Sequence, residues 1–138
     1  MTNESIARAL YGELFNKRDY DTSVAHVTDD FVVVSIPTGT TLRGKEGYRQ
    51  FLSTWGTAFP DSTVKVNRLI DNGENIAVEF TGKGTHSGPL VTPMGVIPPS
   101  GKPVETSFCD VLSFRGGKLA TVRSYFDVAS LLRQIGAA

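Results

Sequence analysis

The chain holds one cysteine, Cys109, and two histidines, His26 and His86. A lone thiol forms no internal disulfide, so this is not a small scaffold stapled by cystines. Two histidines with no clustered cysteines leave no ligand set for a zinc cluster, and no metal is expected. Neither sign of charge dominates: 14 Lys and Arg stand against 14 Asp and Glu, and the pI is near 6.7. That balance argues against nucleic-acid and anionic-membrane partners, which call for clustered Lys and Arg. Long apolar runs are missing as well, since nothing approaches the roughly 20 residues needed to cross a bilayer. Glu4, Arg8 and Glu13 interrupt the segment that a signal peptide would keep apolar. There is no Walker loop, no Gly-x-Ser-x-Gly elbow and no Cys-x-x-Cys. The stretch Gly82-Lys-Gly-Thr-His-Ser-Gly88 does not match a dinucleotide fingerprint. These absences predict a cytoplasmic chain without a nucleotide or metal cofactor.

What is present is a core-forming composition, 40% hydrophobic over 138 residues, which predicts one domain spanning residues 1–138. Ile6, Ala7, Leu10, Tyr11, Leu14 and Phe15 recur at helical spacing, which predicts a first helix capped by Thr2 or Asn3 and ending near Asn16. Asp21 is expected to cap a short helix, Thr22–Val27. Phe-Val-Val-Val-Ser-Ile, ending at Pro37, reads as a strand with a short partner at Thr40–Arg43. Helical spacing returns from Gly44 through Tyr48, Leu52 and Trp55, and stops before Pro60. The second half is β-rich over Thr63–Ile70, Ile76–His86, Val104–Phe114 and Leu119–Phe126, with tight turns at Asp71-Asn-Gly and Arg115-Gly-Gly. Between the middle two, Ser87–Pro103 is so rich in Pro and Gly that it is expected to be a flap without a regular element. Asp127 is expected to cap a final helix, Val128–Ile135, closed by Gly136. The order predicts an α+β fold with helices packed on one face of a curved antiparallel sheet.

Strand alternation then picks out polar residues on faces that should be buried. Val104, Thr106, Phe108, Asp110, Leu112 and Phe114 share one face, with Asp110 in the middle of the apolar stripe. A carboxyl there has its pKa raised and is costly unless hydrogen-bonded or functional. Either it serves a site, or a bulge turns it outward, or an arginine pairs it. Ile76, Val78, Phe80, Gly82, Gly84 and His86 share a parity, which would aim His86 at the same cavity unless the glycines bulge the strand and leave a structural histidine at the flap hinge. Val33 and Ser35, and Val122 and Ser124, are inward pairs on the first and last strands. Tyr11 lies on the stripe of helix one, either as a core aromatic or as a donor. Asp127 has a simple role as helix cap, with acid–base chemistry as its alternative. Trp55, Phe59 and Met94 are candidate cavity or flap lining.

At the level of motifs, Gly-Thr-His-Ser-Gly-Pro, Ile-Pro-Pro-Ser-Gly-Lys-Pro-Val, Gly-Gly-Lys-Leu and Tyr-Phe-Asp-Val-Ala-Ser-Leu-Leu-Arg-Gln-Ile-Gly resemble the SnoaL-like polyketide cyclase family of the nuclear transport factor two-like superfamily. The resemblance covers nearly the whole chain. It implies a cone-shaped, cystatin-like α+β domain with a deep apolar pocket, no cofactor, and a homodimer built through the sheet. Those cyclases close a polyketide ester by intramolecular aldol chemistry; their catalytic aspartate falls where this chain has Ser124, and a pocket histidine where it has Asp110. The chain is also similar to ketosteroid isomerase, whose oxyanion donors, a tyrosine and a protonated aspartic acid, fall on Tyr11 and Asp110, and whose general base falls on Ser35.

The function expected from all this is acid–base chemistry on an apolar carbonyl or polyketide-like compound. Tyr11 and Asp110 would donate to a developing enolate, and His86, or else Asp127, would move the proton. Val33, Ser35, Trp55, Phe59, Met94, Phe108, Val122 and Ser124 would line the pocket. The alternative is a non-catalytic ligand-binding or dimeric interaction domain of the same fold, because neither family's titrating base is retained.

Overall fold

A computed structural model describes all residues, Met1–Ala138. Helix α1 (Asn3–Ala9) starts where the Thr2 side chain accepts the amide of Ser5 at 3.0 Å. It runs on into a π-helical segment, Leu10–Leu14, which carries Tyr11. Such wider turns are uncommon and recur at functional sites. The chain then reverses at Arg18, which takes a positive φ of 57°. Because of that reversal Asp19, not Asp21, becomes the cap of α2, which spans Tyr20–Ala25 in place of the expected Thr22–Val27. The Arg18 guanidinium holds the corner by donating to the carbonyls of Phe15, Phe59, Pro60 and Ser62.

The strands are β1 (Val27–Ser35), β2 (Thr40–Arg43), β3 (Thr63–Asp71), β4 (Asn75–Thr85), β5 (Leu90–Thr92), β6 (Gly95–Ile97), β7 (Pro103–Arg115) and β8 (Lys118–Phe126). Six of them form one sheet in the order β2-β1-β8-β7-β4-β3. All its pairings are antiparallel except β1 with β8, which is parallel and places Ser35 beside Ser124. Helices α3 (Gly44–Ala58) and α4 (Val128–Gln134) complete the chain. The segment expected to lack a regular element instead contains the hairpin β5–β6. Pro93 and Met94 make its turn, and the Thr92 hydroxyl both accepts the Met94 amide and donates to the Gly95 carbonyl. Two residues of turn with a side-chain clasp suffice to pair short strands, even in a sequence this dense in Pro and Gly.

The register from β4 to β7 is unbroken, from Thr85 opposite Pro103 to Asn75 opposite Ser113. Gly82 and Gly84 therefore introduce no bulge, and Asp110 keeps its place on the inner face opposite Val78. Inward residues of the sheet meet Ile6, Leu10, Phe15, Tyr48 and Leu52 from the helices in one buried cluster. A smaller cluster joins Ala58, Phe59, Leu90, Val104, Leu131 and Ile135, seating the hairpin between α3 and α4. No helix is long and apolar enough to cross a membrane.

The hairpin reaches that seat through Gly88, whose amide donates to the Ala58 carbonyl at 3.1 Å. A methyl group on Gly88 would collide with the Thr57 carbonyl oxygen at the end of α3. Gly88→Ala is expected to cost about 1–3 kcal/mol through this overpacking. Calorimetry should then show a fall of several degrees in Tm, and an unchanged Tm would show that the hairpin is not locked to α3.

Candidate active site

An apolar cavity of ≈ 90 Å³ lies between the helices and the inner face of the sheet. Leu10, Tyr11, Tyr48 and Trp55 line it from the helical side, and Phe80, Phe108, Asp110 and Ser124 from the sheet. Asp110, 1% exposed, comes from the middle of β7; Tyr11 comes from the π-helical segment. The two meet, and the Tyr11 hydroxyl donates to Asp110 Oδ2 at 2.6 Å. No protein group hydrogen-bonds Asp110 Oδ1, and none bonds Thr106 Oγ1 two residues earlier on the same face. A buried polar atom without a partner costs of the order of 1–3 kcal/mol, so these two atoms in one cavity wall call for a hydrogen-bonding group, from water or from a ligand.

Burial pushes the Asp110 carboxyl up to about 6; Ser124 across the strand pair and the Tyr11 hydroxyl pull it part of the way back. The Ser124 hydroxyl acts from beside the carboxyl without closing a hydrogen bond to Oδ1. Tyr11 is held well above the usual phenol range, first by burial and then by the charge of Asp110. Its proton therefore stays on, and it is the donor of the pair.

Six of the expected residues are brought together in this wall: Asp110, Tyr11, Ser124, Trp55, Phe59 and Phe108. Their rings are packed in a chain. Phe108 stacks on Phe80 at 4.9 Å, Tyr11 leans on Phe80 at 5.0 Å, and Trp55 stands edge-on to Phe108 at 5.6 Å.

The other six lie elsewhere. His86 is buried but does not line the cavity, because β4 ends at Thr85 and its alternation stops one residue short. His86 Nδ1 accepts the Ser100 amide at 3.2 Å, with the Ser100 hydroxyl 2.9 Å away, and its backbone pairs with Gly101 and Lys102. It latches the base of the flap, and burial lowers its pKa so that the ring is neutral. Asp127 caps α4 by accepting the Ser130 amide at 3.0 Å and is exposed. Val33 and Val122 are in the solid core at 1% and 0% exposure. Met94, at 96% exposure, stands in solvent on the hairpin turn. Ser35 faces a separate cleft and pairs with the Thr38 hydroxyl at 2.8 Å.

Tyr48 and Thr106 line the cavity in addition to the expected pocket residues. Tyr48 of α3 is buried, packs on Phe31 at 4.9 Å, and has its pKa raised by burial and then by Asp110. Its signal was a hydroxyl on a helix face that otherwise turns apolar side chains inward. Thr106 was visible as the second polar residue on the Asp110 stripe. No group of three or more His, Cys, Asp or Glu side chains is gathered to hold a metal.

Comparison with known proteins identifies the family and the fold. The family model of SnoaL-like polyketide cyclases matches residues 5–135. No curated protein sequence matches the chain. Among solved structures, a SnoaL-like polyketide cyclase candidate from Jannaschia sp. CCS1 superposes with a TM-score of 0.86 at 22% identity, covering 99% of this chain and 92% of that one. IdmH, a candidate polyketide cyclase from Streptomyces antibioticus, gives 0.79 at 26% identity over 99% of both chains. A protein of ketosteroid isomerase-like fold from Catenulispora acidiphila, solved with trimethylamine, gives 0.79 at 18% identity, covering 100% of this chain and 96% of that one. The fold is thus the nuclear transport factor two-like, cystatin-like α+β fold, and the chain belongs to the SnoaL-like polyketide cyclase family.

Proposed function

We propose that the protein is a cofactor-independent acid–base enzyme of cyclase or isomerase type, acting on an apolar carbonyl compound. One observation carries this reading: a buried carboxyl, with one oxygen fixed by Tyr11 and the other free, set in the wall of an apolar cavity. The sequence suggests that Asp110 donates while His86 moves the proton. With His86 outside the cavity, Asp110 is the group that moves it. A carboxyl with a pKa of about 6 is roughly nine-tenths ionised at pH 7, which suits a general base.

In this mechanism Oδ1 takes a proton from the carbon next to the carbonyl, and the C–H electron pair moves onto the carbonyl oxygen as an enolate. Tyr48 and Thr106, both lining the cavity, carry the hydroxyls available to that oxygen. Each such donor in a dry site is worth on the order of 10²–10³ in rate. Returning the proton to a different carbon isomerises the substrate. Attack of the enolate carbon on a second carbonyl closes a ring, and the protonated Asp110 then supplies the new alkoxide with its proton. Tyr11 holds the carboxylate in place throughout. The family match and the cyclase neighbours support this class of chemistry. The alternative, a ligand-binding domain without catalysis, draws on the absence of any second carboxylate or histidine from the cavity wall.

The exchange of acetone α-protons in heavy water, followed by NMR, separates the two. The wild-type rate should rise with pH through about 6, and Asp110→Asn should lose on the order of 10²–10⁴-fold. Tyr11→Phe removes a hydrogen bond that holds the Asp110 pKa down, so its midpoint should move to higher pH. Exchange no faster in wild type than in Asp110→Asn would leave the binding domain standing. Stability offers an independent check. Native Asp110 keeps its proton between pH about 4 and 6, where the unfolded chain has already released it, so this group's contribution falls as pH rises through that window. Asparagine never ionises. Relative to wild type, Asp110→Asn should therefore gain up to about 3 kcal/mol between pH 4 and pH 8 in denaturant titrations. A pH-independent difference would show that Asp110 titrates normally.

A further inference from the structure

The cavity at Asp110 is small. An apolar cavity of about 150 Å³ holds one benzene, and this one measures ≈ 90 Å³. A substrate with more than a few carbons must therefore continue somewhere else. A second space of ≈ 360 Å³ adjoins the first, bounded by β1, β2, α3, α4 and the β5–β6 hairpin. Phe51, Trp55 and Leu131 line both spaces, which meet at these residues. Trp55 is half-buried there, edge-on to Phe108 of the first space at 5.6 Å and to Phe126 of the second at 5.4 Å.

The lining chemistry of the two spaces differs. The first holds the unpartnered Asp110 Oδ1 and Thr106 Oγ1. The second contains no charged side chain; Leu42, Leu90 and Leu132 alternate with Thr38, Thr54 and Thr92, whose hydroxyl protons already go to Ser35 or Thr40, to the Gln50 carbonyl and to the Gly95 carbonyl. Charge is unwelcome there because nothing would repay its desolvation. The lining of the first space that the second does not share includes Thr63, Val64 and the cation Lys83.

We infer that the substrate is an elongated, uncharged molecule whose reacting carbonyl sits at Asp110 and whose apolar tail passes Trp55 into the second chamber. The inference rests on the carbonyl reading above and adds to it the length, the charge and the direction of the substrate. Trp55 is the only tryptophan in the chain, so its fluorescence reports on the junction of the two chambers.

The probes are methyl n-alkyl ketones, from methyl ethyl to methyl decyl ketone, titrated against Trp55 fluorescence. In wild type, affinity should climb by about fourfold for each added methylene. Thr54→Phe and Thr38→Phe, two separate ways of filling the second chamber, should end the climb at a shorter chain. Circular dichroism selects whichever of them keeps the wild-type fold. Thr63→Phe, at an exposed position that lines the first space alone, should leave the climb intact. A climb stopped by Thr63→Phe, or continuing in both chamber-filling variants, overturns the inference. Thr106→Val reads the carbonyl site separately: removing a hydroxyl available to the carbonyl oxygen, it should shift the whole series by a constant factor. A lost shift with the break in the climb retained overturns the carbonyl reading alone, and a retained shift without the break overturns the second chamber alone.

Discussion

The constraint from which the site follows is the burial of the Asp110 carboxyl on the inner face of β7, among rings. A carboxylate there is removed from bulk water, so its proton affinity rises and its pKa is pushed up to about 6. The surroundings must then stabilise whichever form is present. Tyr11 does so from a wider helical turn, and Ser124 from the next strand. Neither is a charged partner. An arginine in the Tyr11 position would have locked Asp110 as a permanent anion, whereas a phenol and a serine leave it able to change state.

The aromatic cluster supplies the other half of this environment. Phe80, Phe108, Trp55 and Phe126 follow one another at centroid distances of 4.9 to 5.6 Å, giving the carboxyl low-dielectric walls and leaving room beside it. Rings keep their shape when a space is left between them, which short aliphatic side chains do less well. A closely packed core cluster lies on one side of this space and a smaller one, seating the hairpin, on the other.

Much of this was legible in the residues because a strand's period of two is rigid. Asp110 on a stripe with Val104, Thr106 and Leu112 is visible from alternation alone, and the unbroken β4–β7 register preserved it. The family motifs supplied the fold and the Tyr11–Asp110 pairing. Alternation failed for His86, because a period holds only as far as the strand does, and β4 stops at Thr85. It could not see the hairpin, whose two short strands are held by a threonine clasp and by contact with α4. Asp19 in place of Asp21 as cap depended on a positive φ at Arg18, a turn fixed by carbonyls more than forty positions away. Tyr48 was hidden because a helical tyrosine facing inward is ordinary until its neighbour across the cavity is known to be an acid.

The sheet order has a consequence for how the molecule comes into being. Strand β8 is the last in sequence, yet it lies between β1 and β7 and is the only link between the β1–β2 pair and the β7–β4–β3 set. On the ribosome the early half of the chain must therefore wait, with the edge of β1 open, until almost the last residues emerge. Long-range pairing of this kind slows folding and lengthens the exposure of that edge. The same closing strand delivers Ser124 to Asp110, so the sheet and the acid's surroundings are completed in one event. A chain cut short before β8 would lack both at once.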